Sequence, residues 1–314
     1  MKIGFIEKHN ENAFVFEDEE GSIIAFMYLK VEEEDVDDVE PSLKAIKRLK
    51  IGTMKIKAHG TRMGERFIKK AFDYAIKLEC SELYVTVFKK HSGLIKLFEK
   101  YGFYYHGNKV GSEEMVYRKS FDNIVGDVHL DYPLIDKKCN KFLLAIYPEF
   151  HTRLFPDSIL NNEKFDVIED ASHTNSIHKV YLSGNPVTAM QTGDLIVIYR
   201  TTDRPGHAKF RSVATSICVD EEVKRIRDFE TISDFMHYCS TYSVYSDEEL
   251  LEQYTAKKYV IRMTYNIALS KRLTNGYLRE LQIDSHYWGF FRLSDQNFDK
   301  ILHYGGANER LIIN

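Results

Sequence analysis

The sequence predicts an α+β protein in two domains, and three observations carry that prediction. At 314 residues the chain is longer than one hydrophobic core usually supports. From Met54 to Phe103 the pattern runs strand, glycine turn, amphipathic helix, strand and second helix, so both element types share one domain. That order stops after Ser120, where residues 120–138 have mixed polarity, glycine, proline and no sustained period. The expected division is a first domain at 1–122, a linker at 123–139 and a second domain at 140–314.

Bulk properties narrow the function classes. With 44% hydrophobic and 29% charged residues, the composition is that of an ordinary globular protein. Lys and Arg balance Asp and Glu at 21 against 21 over residues 1–122, and fall short at 22 against 26 over residues 123–314. A protein that coats nucleic acid through massed charge needs a positive excess, so that class is excluded while a local basic pocket is not. Cys80, Cys139, Cys218 and Cys239 form no CxxC pair, which argues against a disulfide framework and a zinc site. Buried thiols in a reducing compartment are the expectation, and with it a cytoplasmic location. No 18-residue apolar run occurs and Met1-Lys2-Ile3 leads into a strand-like pattern, so neither a membrane span nor a signal peptide is expected.

In chain order, Ala13 to Asp18 and Ile23 to Lys30 read as strands around the turn Glu19-Glu20-Gly21-Ser22. Val31 to Glu40 carries seven acidic residues and stops at Pro41, which reads as a solvated loop. Leu49 to Ala58 resumes as a strand. Met63, Phe67, Ile68, Ala71, Ala75 and Leu78 then fall on one helical stripe, with Glu65, Arg66, Lys69, Lys70 and Asp73 off it. Leu83 to Phe88 has the β-branched and aromatic content of a buried strand, and Leu94 to Tyr101 marks a short helix ended by Gly102. Tyr104 to Lys109 and Met115 to Arg118 read as a closing hairpin around Gly111.

In the second domain the strand candidates are Phe142 to Tyr147, His178 to Leu182, Leu195 to Arg200, Ala208 to Val219 and Tyr259 to Tyr265. Helix candidates are Ile232 to Cys239, Glu248 to Tyr254, Tyr277 to Gln282 and Asp295 to His303. Strands without regular crossovers predict a small mixed or antiparallel barrel with peripheral helices. The segment His173-Thr174-Asn175-Ser176-Ile177-His178 lacks a neighbouring Cys or acidic cluster, so no metal is expected there.

A strand that runs straight into a turn opening a helix offers unpaired N–H groups and the positive end of a helix dipole, which favour phosphate. Here that turn is His59-Gly60-Thr61-Arg62-Met63-Gly64. On these residues and on Leu97-Phe98-Glu99-Lys100-Tyr101-Gly102-Phe103, residues 1–120 resemble the GCN5-related N-acetyltransferase family. The family turn is Q/R-x-x-G-x-G/A, so His59 stands at its Gln/Arg position, Arg62 at its first glycine, and Gly64 is kept. His91 occupies the family's Asn position and Phe98 its Tyr position. The resemblance implies a mixed-sheet acyltransferase fold with acetyl-CoA as cofactor. Its pantetheine arm is expected along Met54, Lys55 and Ile56, its pyrophosphate on His59, Gly60, Thr61, Arg62, Met63, Gly64 and Glu65, with His91 and Phe98 also lining the site.

Because Phe98 replaces the tyrosine that often protonates the departing thiolate, Tyr101, one helical turn on, is the candidate acid; burial in the core is its other reading. The candidate bases are Glu65, His59, Glu99, Glu113 and Glu114, and the sequence distinguishes none of them. The usual helix pair between the first two strands has no room, so the acceptor cannot be carried over from the family.

The second domain resembles the PUA-like barrels that include ASCH and EVE domains. The likeness rests on Lys179-Val180-Tyr181-Leu182-Ser183, on Gly193-Asp194-Leu195-Ile196-Val197-Ile198-Tyr199-Arg200 and on Phe210-Arg211-Ser212-Val213-Ala214-Thr215. It implies a reader of RNA or of a modified nucleobase, with Arg200, Arg211, Trp288 and Arg292 as nucleic-acid candidates. The combined expectation is an acetyl-CoA-dependent N-acetyltransferase acting on RNA or an RNA-linked amine such as a tRNA. The alternative is a non-catalytic modified-base binder whose first domain senses CoA.

Overall fold

The computed structural model describes residues 2–8, 11–18, 20–57, 62–155, 176–204 and 206–314. Among them the chain falls into two compact units: one holds the described residues up to Val125 with His129–Asp131, the other Gly126–Val128 and those from Tyr132 onward.

The first unit is built on eight strands: β1 (Lys2–Lys8), β2 (Glu11–Glu17), β3 (Ile23–Glu32), β4 (Val39–Glu40), β5 (Arg48–Ile56), β6 (Glu82–Phe88), β7 (Tyr104–Lys109) and β8 (Glu114–Ser120). Their order across the sheet is β1-β2-β3-β5-β6-β8-β7-β4. Neighbours run antiparallel except β5 and β6, which are parallel. A parallel pair needs a crossover, supplied here by α1 (Met63–Lys77). Helix α2 (Ser92–Lys100) follows β6. Apolar residues of α1 meet the sheet through Phe67, whose ring lies edge-on to Phe16 at 5.1 Å.

Two readings of this unit are corrected. Arg66 and Lys69, expected on the solvent side of α1, are buried. Arg66 lays its guanidinium 4.7 Å from the Phe16 ring, and Lys69 reaches Asp73 at 2.7 Å, so each cation has local compensation. The acidic run is more than a solvated loop: β3 extends to Glu32, β4 starts at Val39, and Val36, Val39 and Leu43 pack on Tyr84 and Val116. Their apolar side chains interrupt the acids at the spacing needed to close over one face of the sheet.

Beyond the short helix α3 (Val128–Asp131), the second unit has β9 (Ile135–Asp136), β10 (Lys141–Ile146), α4 (Pro148–Leu154), β11 (His178–Ser183), β12 (Leu195–Arg200), α5 (Ala208–Arg211), β13 (Val213–Arg225), α6 (Ile232–Ser240), α7 (Asp247–Ala256), β14 (Tyr259–Thr274), α8 (Asn275–Glu280), β15 (Phe290–Leu293), α9 (Asp295–Gly305) and β16 (Ile312–Ile313). Six strands form a sheet in the order β11-β14-β13-β12-β10-β15, and β9 pairs with β16. The protein is therefore α+β with mixed sheets in both units.

Expectation and structure part in two places here. Among the described residues no pairing joins β11 to β15, so the six strands form an open sheet rather than a closed barrel. Three register shifts between β13 and β14 bend the long strands around the core instead. Residues 208–211 are helical, with β13 starting only at Val213. Helices α6 and α7 begin at capping boxes, Thr231 with Asp234 and Ser246 with Glu249.

Candidate active site

Strand β5 pairs with β6 only from Arg48 opposite Glu82 to Ile51 opposite Val85. Beyond that point both continue, to Ile56 and Phe88, without pairing to each other. On its other side β5 stays bonded to β3, where a register shift leaves Gly52 as an extra residue between Ile51 and Thr53. A Cβ at Gly52 would lie 2.6 Å from the Tyr28 ring, so glycine is required by that close approach. The parted strands leave polar backbone of 52–56 available to a ligand, as a pantetheine arm needs. Met54 and Ile56 are half-buried there, and Lys55 is exposed.

The turn expected to hold the pyrophosphate falls partly outside the described residues, since His59, Gly60 and Thr61 are among those not described. Arg62 is half-buried beside the start of α1, and Met63 is buried. Gly64 is buried, and a Cβ on it would come within 2.6 Å of Leu97 on α2. Helix packing therefore supplies a reason for this glycine independent of phosphate. Exposed His91 directly precedes α2.

Phe98 is fully buried and packs on Phe103 at 5.0 Å. Tyr101 is also fully buried; its hydroxyl donates to Glu65 Oε1 at 3.0 Å, and Lys100 Nζ reaches the same oxygen at 2.5 Å. Two of the sequence candidates, Tyr101 and Glu65, thus meet in space, tying the end of α2 to the first turn of α1. Of the other carboxylates, Glu99 accepts from Tyr117 at 3.3 Å and Glu113 is exposed. Glu114 stands opposite Phe88 in the parted segment of β6, accepts from Thr86 at 3.2 Å and lies 3.5 Å from Lys109.

Sequence reasoning missed what lies beside the paired segment of β5 and β6, where Lys50 stands opposite Tyr84. Lys30, Glu32, Glu33, Glu34, Asp35, Asp37, Asp38 and Lys50 line a cavity of about 680 Å³ together with Val31 and Val36. The fully buried Tyr84 donates to Glu32 Oε2 at 2.5 Å, while Lys30 and Lys50 lie 3.3 and 3.7 Å from the other oxygen. Burial pushes the Glu32 carboxyl up, but the Tyr84 hydrogen bond and the two lysines outweigh it and hold it below its usual value. Burial and the same hydrogen bond raise the Tyr84 phenol. Arg48 fixes the cavity wall: it donates to Glu82 at 2.8 Å, to Glu34 O at 3.0 Å and to Lys44 O. The alternation of Val36 and Val39 within the acids was the available signal.

In the second unit the four nucleic-acid candidates have different surroundings. Arg200 is buried. Arg211 is held by Asp203 through two contacts of 2.5 Å. Trp288 is half-buried, 5.1 Å from the Tyr199 ring and 5.4 Å from the Arg279 guanidinium, and Arg292 donates to Asn140. His178, from the His-rich segment, hydrogen-bonds Glu221, whose other oxygen lies 3.3 Å from Arg262; His173 is outside the described residues.

No protein-family profile and no curated protein matches the chain. Among solved structures it is similar to a point mutant of ZmASCH, an ASCH protein from Zymomonas mobilis, with 10% identity, 54% of this chain and 96% of that chain covered, and a TM-score of 0.36. It is also similar to a nourseothricin acetyltransferase at 14% identity and TM-score 0.28, covering 35% of this chain and 65% of that one, just under two thirds. A GNAT family acetyltransferase from Elizabethkingia anophelis with acetyl-CoA bound matches at 12% identity and TM-score 0.28, with 36% and 77% covered.

Proposed function

We propose that the protein is an acetyl-CoA-dependent N-acetyltransferase whose acceptor is an amine carried on RNA. The parting of β5 from β6 after Ile51 and Val85, beside the Gly52 bulge, is the observation that carries this reading. When bound, acetyl-CoA supplies the acyl thioester; the chain's task is to align an amine with it and take up its proton. Free amides of the parted β5 are suited to a developing oxyanion, as donors aimed at charge that appears only during reaction. Glu32, kept ionised by Tyr84, attracts the ammonium form of the acceptor. Glu114, opposite Phe88 on the parted segment of β6, is the carboxylate proposed to receive the amine's proton.

Met54, Lys55, Ile56, Arg62 and Gly64 are the described residues proposed to flank the cofactor, with His59, Gly60 and Thr61 completing the turn. A cavity lined by acids accepts an amine and repels phosphate, so an RNA-linked acceptor has to be gripped elsewhere on the chain.

The test has two arms. Saturating acetyl-CoA should raise the melting temperature of the full chain, since a ligand of the native state stabilises it. Free-thiol release should then appear with an aminoacyl-tRNA or another RNA-linked amine. Absence of any shift with acetyl-CoA or CoA sinks the proposal. A second reading, CoA sensing without transfer, is favoured by the fully buried Phe98 and by the commitment of the Tyr101 proton to Glu65. A thermal shift with acetyl-CoA and no thiol release with any amine would select it.

A further inference from the structure

The first unit's cleft is acidic and the second unit has an overall excess of acids, yet one loop of the second unit runs against both. From Arg200 to Arg211 the sequence Arg-Thr-Thr-Asp-Arg-Pro-Gly-His-Ala-Lys-Phe-Arg carries four cations against the single Asp203. Asp203 is taken up by Arg211, which closes the loop on itself. Arg204 and Lys209 are exposed and form no ion pair among the described residues.

Beside them Phe210 is 72% exposed, the most exposed large apolar side chain among the described residues. Its position is fixed by its neighbours. Asn275 N donates to Ser212 O at 2.8 Å, and a Cβ on Gly276 would meet Lys209 Cγ at 2.9 Å, so α5 lies directly on α8. From α8 the exposed Tyr277 stands edge-on to Tyr304 at 5.9 Å.

We infer that this face of α5 and α8 binds single-stranded polynucleotide, with the Phe210 ring stacking on an unpaired base and Arg204 and Lys209 facing phosphates. Single-strand binders combine an aromatic platform with flanking cations in this way, because every base offers a face to stack on while the charge follows the backbone. Lys209 Nζ lies 5.5 Å from the centroid of the Phe210 ring, so the platform and a cation stand side by side. The occupant is a polyanion because the unneutralised charge at the rim is positive. An unpaired base is required because a duplex hides its base faces. This surface differs from the half-buried Trp288 and the buried Arg200, and it rests on the proposal that the acceptor is carried by RNA.

Titrating the full chain with a fluorescent single-stranded RNA 12-mer of mixed sequence tests it, with the same sequence as DNA and as a duplex in parallel. Phe210→Ala should weaken RNA binding roughly 10-fold, and Phe210→Trp should restore it. Replacing Arg204 and Lys209 by Ser should lower the salt dependence by a slope of roughly 1.4, about 0.7 per lost phosphate contact. The duplex should bind at least several-fold more weakly. If wild-type protein binds the 12-mer but Phe210→Ala and the double Ser variant bind as tightly, this surface assignment is overturned while the RNA reading stands. If wild type binds neither RNA nor DNA, both fall, and thiol release with a simple polyamine then tells whether acetyl transfer survives without them. Equal binding of poly-glutamate would also overturn it, because it would make the patch a general anion surface.

Discussion

The two units differ in which of their buried ionisable groups keep a charge. In the first, charge is kept and paired: Arg48 and Glu82, each 1% exposed, meet at 2.8 Å, and Arg118 reaches the second Glu82 oxygen at 2.8 Å. Glu32 remains a carboxylate beside the cavity. Lys119 is the exception, since burial lowers it to about 7 despite the opposing pull of Asp131. In the second unit two buried groups are neutralised, although others, such as Lys141 with Asp295, remain paired. Burial, with Arg200 and Arg272 nearby, lowers His151 to about 3, and its Nε2 faces Thr215 Oγ1 at 2.8 Å. Burial, with Asp194, Glu221 and Glu222, raises Asp220 to about 8, and neither carboxylate oxygen has a hydrogen-bond partner. A unit that keeps paired charge under a cleft can present an ionised carboxylate to a substrate. Neutral His151 and Asp220 present no charge to a ligand, and the exposed cations Arg204 and Lys209 of this unit lie at its surface, in the loop around Phe210.

The sharpest way to break this contrast is to unpair the first unit. Arg48→Met removes one of the two cations paired with buried Glu82, leaving Arg118, and with it the clamp on the Glu34 and Lys44 carbonyls. The expected loss is about 2–3 kcal/mol, the range for losing a hydrogen bond to a buried charge that keeps its second partner, Arg118. Urea unfolding followed by hydrogen exchange should place that loss in the first unit. A midpoint unchanged from wild type would mean the pair adds nothing, and the contrast with the second unit would disappear.

Asp220→Asn probes the other side. Because the native state raises this carboxyl from 3.8 to about 8, its contribution is full below pH 3.8 and lost as pH rises through about 8. His151 acts with the opposite sign: its contribution is full above 6.5 and lost as pH falls through about 3. The variant should therefore lose the alkaline decline, on the order of a few kcal/mol between pH 4 and 8, while keeping the acid one. Urea midpoints at pH 4, 6 and 8 check the slope, and the constant cost of burying an amide drops out of that comparison. Parallel wild-type and variant profiles would show that Asp220 does not carry the proton.

Gly102→Ala should cost about 2 kcal/mol. The residue has φ +78°, a conformation that side chains rarely adopt, and a Cβ would lie 2.1 Å from Leu130 O. A melting temperature within a degree of wild type would rule out that strain.

How much of this was legible depended on whether a signal was local. The α1 stripe, the end of α2 at Gly102 and the β7–β8 hairpin were readable because spacing and a turn residue fix them within a few positions. The cavity was not, because Tyr84 lies 52 residues from Glu32 and no window contains both. Arg66 and Lys69 were misplaced because charge was taken to mean solvent, although Phe16 and Asp73 receive them. Residues 208–211 were read as strand because their apolar character merges with that of Val213 to Val219; only the packing of α8 on Lys209 separates the two. The parting of β5 and β6 is a non-event in sequence, since unpaired strand residues look like paired ones. At the proposed site, Glu65 and Tyr101 were each named from the sequence, but the hydrogen bond between them was not.

That hydrogen bond gives the smallest and most discriminating prediction. Tyr101→Phe keeps the buried ring and deletes the hydroxyl that donates to Glu65, so the stability cost should be about 1 kcal/mol, with Lys100 still holding the carboxylate. If Tyr101 serves only to tie α2 to α1, the kcat of the proposed acetyl transfer should stay within about twofold and any change should appear in KM for acetyl-CoA, because α1 follows the turn proposed to hold the cofactor. If Tyr101 protonates the leaving thiolate, kcat should fall on the order of 100-fold with KM unchanged, and the alkaline limb of the rate profile should disappear. The hydrogen bond makes the first outcome the expected one: Phe98 offers no hydroxyl, and the Tyr101 phenol already donates to the Glu65 carboxylate.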